Sequence, residues 1–418
     1  MLNRIKLKSE FSRNVLTLMS GTALSQIIAI LVLPILSRIY NPNDFGKLAI
    51  VMAISNIAGV VLALRYEMAI MLPKQNKTAF MAMAQAVFLA LLFSIIESFV
   101  LSVLFKFTMK AYSEYLYLIV LVSFSNIIFQ TSVLWFNRNK KFYLSSLFSV
   151  LKVICIFVFQ FSLQNIENGI IWGYFFGNMI ILSILLIFFI KNFLYYKDNF
   201  SKNRLFYLLK RYKKFPLYSL PASLMNSAGS NVHFMLIESF FGATATGVFS
   251  MVQRLVYAPI ALISGTINNV VYQKFTYDVV NNNPVYDNMK KVAVVMSIVG
   301  LVIVLVIFIA SEYNILTLFL GKDWSKANDL LIYFLPIILI FMVSSSIARF
   351  AIFERQEISL YFQTFLFIVV FFSIIIGNYL TNNFEYTILI YALALSLVFL
   401  LQLNISLYLA KKHDKGIK

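Results

Sequence analysis

The chain is poor in the residues on which most soluble chemistry depends. It has 418 residues and one cysteine, Cys155, inside an apolar run. An intrachain disulfide and any multi-cysteine metal site are therefore excluded, and Cys155 reads as a small apolar packing residue. Acidic residues number 17 against 35 lysines and arginines, and charged residues make up only 12% of the chain. There is no phosphate-cradling Gly-x-x-x-x-Gly-Lys loop, no His-Glu-x-x-His and no nucleophile elbow. The polar loops are too short for a soluble catalytic domain. No cofactor is called for, and energy would come from an ion gradient, the membrane potential or substrate flux unless a partner hydrolyses nucleotide. A cleavable signal is also missing: Met1 to Arg13 is short and basic, and the apolar run after it is too long for a signal core. The first run is thus expected to persist in the mature protein.

What is present is hydrophobic sequence: 61% of residues, with a mean hydropathy of +0.83. A helix needs about 20 apolar residues to cross roughly 30 Å of hydrocarbon. Runs of that length follow one another to the C-terminus, so the chain reads as an all-α polytopic membrane protein. Twelve spans are predicted, at 14–37, 45–72, 79–105, 112–136, 142–164, 168–190, 216–242, 245–272, 289–311, 327–350, 358–380 and 385–410. Turn signals separate them, among them Asn41-Pro42-Asn43-Asp44, Asn137-Arg138-Asn139-Lys140-Lys141 and Asn281-Asn282-Asn283-Pro284.

Lysine and arginine alternate between loops. With the N-terminus inside, 25 fall in inner segments, eight of them in 191–215, and six in outer ones: Arg38, Lys47, Lys106, Lys110, Lys322 and Lys326. The positive-inside rule then places both termini in the cytoplasm. This alternation accounts for the net charge of +18 without nucleic acid. The segment 191–215 divides the chain into bundles at 1–190 and 216–418. It is basic and aromatic, and serves either as an amphipathic segment lying on anionic headgroups or simply as topogenic charge.

The two halves carry a weak repeat. Phe136-Asn137-Arg138 matches Phe353-Glu354-Arg355, and Asp44-Phe45-Gly46-Lys47-Leu48 matches Ala245-Thr246-Gly247-Val248-Phe249. Parallel repeats of this kind occur in secondary transporters, whose substrates bind near the midplane.

Ionisable groups at depth are costly and usually face a cavity or a partner. In the eighth span Ser250, Arg254, Tyr257, Ala261, Ser264 and Asn268 form one helical stripe; in the seventh Ser219, Ser223, Asn226, Ser230 and His233 do the same. Ser145, Ser149, Lys152 and Gln160 share a face of the fifth, and the second carries Arg65 and Glu67. Two readings stand. Arg65, Lys152 and Arg254 line a wet cationic cavity for an anionic substrate, with Ser149, Asn226, Ser230, Tyr257, Ser264 and Asn268 as polar lining. Alternatively, the small residues only pack helices closely and Glu67 neutralises Arg65. Glu97, His233 and Glu238 are candidates for ion coupling, or are solvated and hydrogen-bonded structure. Pro34, Pro221, Pro259 and Pro336 can bend their helices.

The motifs Leu18-Met19-Ser20-Gly21-Thr22-Ala23-Leu24-Ser25-Gln26, Leu33-Pro34-Ile35-Leu36-Ser37-Arg38-Ile39-Tyr40-Asn41-Pro42-Asn43-Asp44-Phe45-Gly46 and Arg65-Tyr66-Glu67-Met68-Ala69-Ile70-Met71-Leu72-Pro73-Lys74 resemble the Wzx-type polysaccharide flippases. The run from Ala245 to Leu255 is similar to that family's second-half segment. The resemblance implies the fold of the multidrug/oligosaccharidyl-lipid/polysaccharide exporter superfamily: two six-helix bundles forming a V-shaped central cavity. It also implies a polyprenyl-pyrophosphate-linked oligosaccharide, of O-antigen, lipopolysaccharide or another glycan pathway, turned across a bacterial inner membrane. The implied partners are membrane lipids and other glycan-assembly membrane proteins. A related cation-coupled drug or metabolite antiporter is the competing transporter class; it would favour intramembrane acids, and the first span has none. A lipid-linked glycosyltransferase or polymerase would need a large outer loop.

Overall fold

The structure is a computed structural model. It describes the backbone of residues 2–348, 350–353 and 355–417; the side chains of 2–20, 199, 202, 258, 259, 261–270, 272, 273, 351, 356 and 417 lie outside the description. Fourteen α-helices are described: α1 (Leu2–Ile39), α2 (Pro42–Leu62), α3 (Asn76–Phe107), α4 (Leu116–Arg138), α5 (Phe142–Ser162), α6 (Gly169–Tyr196), α7 (Lys202–Arg211), α8 (Leu220–Val280), α9 (Tyr286–Glu312), α10 (Ile315–Leu320), α11 (Ser325–Tyr333), α12 (Leu335–Ile347), α13 (Gln356–Thr381) and α14 (Phe384–Ile417). No strand occurs among the described residues.

Two of the turn signals read from the sequence, 41–44 and 281–284, act at helix ends; Asn168, Asn314 and Asn382 do so without having been singled out. Asn41 and Asp44 exchange side-chain-to-amide bonds of 3.1 and 3.2 Å around Pro42, closing a capping box at the start of α2. Asn168, Asn282, Asn314 and Asn382 take the left-handed backbone that ends or opens a helix.

Ten helical stretches among the described residues are long and apolar enough to cross a bilayer, or eleven if one bent pair is a single span. The expected twelve is not reached there. The predicted span 245–272 runs into residues whose side chains lie outside the description, and its start belongs to the stretch Phe215–Tyr257. The predicted span 327–350 is broken instead of straight. Its two parts meet at 57° beside Pro336, which has no amide hydrogen for the preceding turn. The predicted span 45–72 is shorter than expected. Its helix stops at Leu62, Leu64 and Arg65 adopt φ of 49° and 63°, and Tyr66–Met71 continues as a 3-10 turn. Arg138 explains why that turn is stable. Its guanidinium donates to the carbonyls of Ile70, Met71 and Pro73, and to Asn76 Oδ1.

The chain packs as two compact units. The first is Met1–Val32 with Leu48–Asn231, and the second is Leu33–Lys47 with Val232–Lys418. A division at 190 and 216 is therefore crossed twice: 33–47 packs with the later sequence, and the start of α8 with the earlier.

In the first unit, α5 and α6 cross at backbone distance. A Cβ on Gly173 would lie 2.5 Å from the Gln160 backbone, and one on Gly177 2.5 Å from that of Ile156. Close glycine crossings compensate for the missing hydrophobic drive between helices in lipid. At one end of this bundle Phe80 gathers Trp135, Phe189, Tyr196 and Phe200 at centroid distances of 5.1 to 6.3 Å, which roots the segment leading into α7. In the second unit Phe249 is the hub, with His233, Phe234, Phe334 and Tyr391 around it at 5.2 to 5.7 Å.

Candidate functional site

In the first unit, α4 carries the polar centre. Ser123, wholly buried, donates 2.7 Å to Glu97 Oε1 of α3. The same hydroxyl lies 3.2 Å from the Ser55 carbonyl of α2. The other Glu97 oxygen is buried with no hydrogen-bond partner. One helical turn along α4, Asn126 Oδ1 accepts 2.8 Å from Lys152 Nζ of α5, which also sits 4.8 Å above the Phe129 ring. No carboxylate comes within ion-pair reach of Lys152 among the described residues. Positions three apart on a helix are neighbours, so a buried acid and an ammonium hang from adjacent positions of one helix. The ammonium is held by a neutral amide and a ring face.

The other predicted positions of this unit have partners of their own. Arg65 is not at depth in a helix: it lies in the turn beyond α2, with Nη1 3.1 Å from Glu67 Oε1, and Glu67 is fully buried. Ser149 bonds the Ser145 carbonyl of its own helix, and Gln160 donates 3.1 Å to the Ile170 carbonyl of α6, so part of that stripe is packing. Asn226 and Ser230 sit on an exposed face of α8, with Ser230 bonded to the Asn226 carbonyl. Their neighbours one residue on make the interhelical contacts. Ser227 donates to the Asn56 carbonyl of α2 at 3.1 Å, and Asn56 donates to Asn231 at 3.3 Å.

In the second unit, Arg254 lies over the Phe45 ring at 5.6 Å, and Tyr257 packs edge-on to Phe341 at 5.5 Å. His233 is buried, 3.1 Å from the Gln253 amide nitrogen, inside the aromatic cluster. Glu238 is half-buried on the same limb of α8. Ser264 and Asn268 lie outside the described residues.

The second unit also contains a clasp that single positions did not announce. Ser37 donates 2.8 Å to the Leu320 carbonyl, and Trp324 Nε1 donates 2.9 Å to the Ser37 carbonyl. Phe45 meets Trp324 edge-on at 5.1 Å. Gly46 and Gly247, the two repeat-related glycines, face reciprocal backbones: a Cβ on Gly46 would lie 1.8 Å from the Ala243 carbonyl oxygen, and one on Gly247 1.7 Å from that of Pro42. The helix is interrupted by a kink at Gly242 with φ 78° and ψ 177°, a backbone open to glycine. Residues missed in the sequence are thus Ser123, Asn126, Asn56, Asn231 and Trp324. For the first two the signal was present as polar residues inside the apolar run Val122–Ser132.

The described residues form a multi-pass helical bundle with polar groups buried inside it. The chain belongs to the polysaccharide biosynthesis protein family, whose profile matches residues 35–329. Solved structures agree on the fold. A multidrug-resistance MATE-family transporter of the MOP superfamily, inward-facing, superposes with a TM-score of 0.67 at 14% identity, covering 94% of this chain and 95% of that one. The lipid II flippase MurJ, inward closed, gives 0.66 at 15% identity over 96% and 90%. The MATE multidrug transporter DinF-BH gives 0.62 at 14% over 95% and 96%. In sequence, the teichuronic acid biosynthesis protein TuaB of Bacillus subtilis (strain 168) is 23% identical over 123 residues, 29% of this chain and a quarter (25%) of that relative.

Proposed function

We propose that this protein is a flippase for a polyprenyl-pyrophosphate-linked oligosaccharide, moving the headgroup from the cytoplasmic to the outer leaflet of a bacterial inner membrane by alternating access. It acts as a carrier and not as an enzyme. The observation that carries the reading is Lys152, an ammonium within a bundle with an amide and a ring for neighbours and no carboxylate. A pyrophosphate presents the charge-assisted acceptors that such a group lacks. Arg65 and Arg254 supply further cationic contacts to phosphates or acidic sugars at other stages of the passage. The clasp of Gly46, Gly247 and Trp324 holds the outer side and must open for release. Membership of a polysaccharide biosynthesis family and a fold shared with a lipid II flippase support this reading.

Replacing Lys152, Arg65 or Arg254 singly by alanine removes a charged hydrogen-bond donor worth about 1.5–3 kcal/mol, or roughly 10- to 150-fold in headgroup affinity. Surface-glycan export should fall while protein abundance holds. Normal export in all three variants would remove the cationic-site reading.

Coupling is assigned to Glu97, whose free oxygen can take a proton or a cation, with His233 and Glu238 as further candidates. That buried acid is also what a cation-coupled multidrug or metabolite antiporter would use. Variants that lose drug resistance but retain glycan export would favour the antiporter.

A further inference from the structure

The segment between the bundles has a second face that transport does not use. One side of α7 is built into the first unit: Leu208 is buried, and Tyr66 Oη donates 3.0 Å to the Leu209 carbonyl. Phe200, just before the helix, joins the Phe80 aromatic cluster, so the helix is anchored at both its start and its flank. Ser201 caps it by accepting 3.2 Å from the Arg204 amide. The opposite side mixes aromatic and cationic side chains. Phe206 is 68% exposed and Tyr218 70%, and Lys210, Lys213 and Lys214 stand among them, also exposed. No acidic residue occurs between Asp198 and Glu238, and none of the three lysines enters an ion pair among the described residues.

In sequence, this segment follows an apolar edge of α6. Ile180, Ile184, Ile187, Ile190 and Leu194 are exposed at helical spacing and end at Tyr195, 77% exposed. The edge reads as lipid-facing, and α7 begins seven residues beyond its end. Aromatic rings and lysines exposed together just after a lipid-facing helix match the chemistry of a bilayer interface. Arg211 is tied to Tyr207 by a 2.7 Å bond, which keeps a cation against the ring that accompanies it into the interface.

We propose that α7 and the turn after it form a docking surface for the anionic phospholipid headgroups of the adjacent leaflet. Phosphatidylglycerol would collect there, fixing the linker to the membrane while the bundles move. This surface is independent of the transported substrate.

The test uses the purified full-length protein in detergent, titrated with short-chain phosphatidylglycerol or phosphatidylcholine, with bound lipid counted by native mass spectrometry. The wild type should retain phosphatidylglycerol over phosphatidylcholine. Each cation lost should cost about fivefold, so Lys210→Gln with Lys213→Gln and Lys214→Gln should weaken phosphatidylglycerol binding about 100-fold. Lys411→Gln with Lys412→Gln and Lys415→Gln, the control at the other basic cluster, should not. Because removing charge can disturb insertion, the wild type is also tested alone: raising salt from about 50 mM to about 500 mM should release phosphatidylglycerol selectively. Three results would overturn the proposal: unchanged retention in the α7 variant, equal loss in the control, or binding of free glycerol phosphate as tight as that of the lipid.

Discussion

Substitution Gly46→Ala gives the sharpest test of the clasp. The new Cβ would sit 1.8 Å from the Ala243 carbonyl oxygen and 2.6 Å from its carbonyl carbon. Both are backbone atoms, so no side-chain rotation relieves the overlap, and two helix starts must move apart by more than an ångström. Overpacking of this kind costs about 1–3 kcal/mol. At 1.4 kcal/mol per decade, the closed clasp should lose roughly 5- to 150-fold in population relative to any open form. The reporter is Ser37→Cys in a Cys155→Ser background. Ser37 is buried in the clasp, and its carbonyl keeps the Trp324 bond because that contact is to the backbone. Maleimide labelling of Cys at 37 in membrane vesicles should be slow alone and faster by about the same factor with Gly46→Ala. Gly247→Ala should act alike, since its Cβ meets the Pro42 carbonyl oxygen at 1.7 Å. Combining the two should add little, because one separation relieves both. Equal labelling rates with and without Gly46→Ala, at unchanged thermal stability, would refute the tight crossing and the gating role built on it.

Glu97→Gln keeps an acceptor for Ser123 and removes the group that can take up and release a proton; flipping in proteoliposomes should continue but stop responding to an imposed proton or sodium gradient, and a response that persists would acquit Glu97. Arg138→Ala strips donors from the Ile70, Met71 and Pro73 carbonyls and should destabilise by about 2–3 kcal/mol, read as a lower unfolding temperature in detergent, whereas Lys140→Ala nearby should not. Trp324→Phe retains the ring contact with Phe45 but loses the bond to Ser37, a cost of about 1 kcal/mol, measured by the same melt.

The boundaries of most spans were legible because hydrocarbon thickness imposes a length that any sequence in lipid must obey. The turn signals at 41–44 and 281–284 were legible because clustered Asn, Asp and Pro favour turns, whereas the left-handed Asn168, Asn314 and Asn382 were not singled out. Cationic side chains within apolar runs could be identified one at a time, since each is costly wherever it lies. Their environments could not. Whether Lys152 meets an amide or an acid depends on which residues α4 turns toward α5, and Arg65 reads as buried in a helix until the backbone of Leu64 and Arg65 is seen to leave helical geometry. The pairing of Gly46 with Ala243, and of Gly247 with Pro42, joins residues about 200 positions apart. Helical periodicity orders side chains only along their own helix. Linear order therefore determined that this protein crosses a membrane many times and carries buried charge. Tertiary packing alone decided which charges stand free, which are neutralised and where two helix starts touch, because those outcomes depend on the rotation and approach of separate helices.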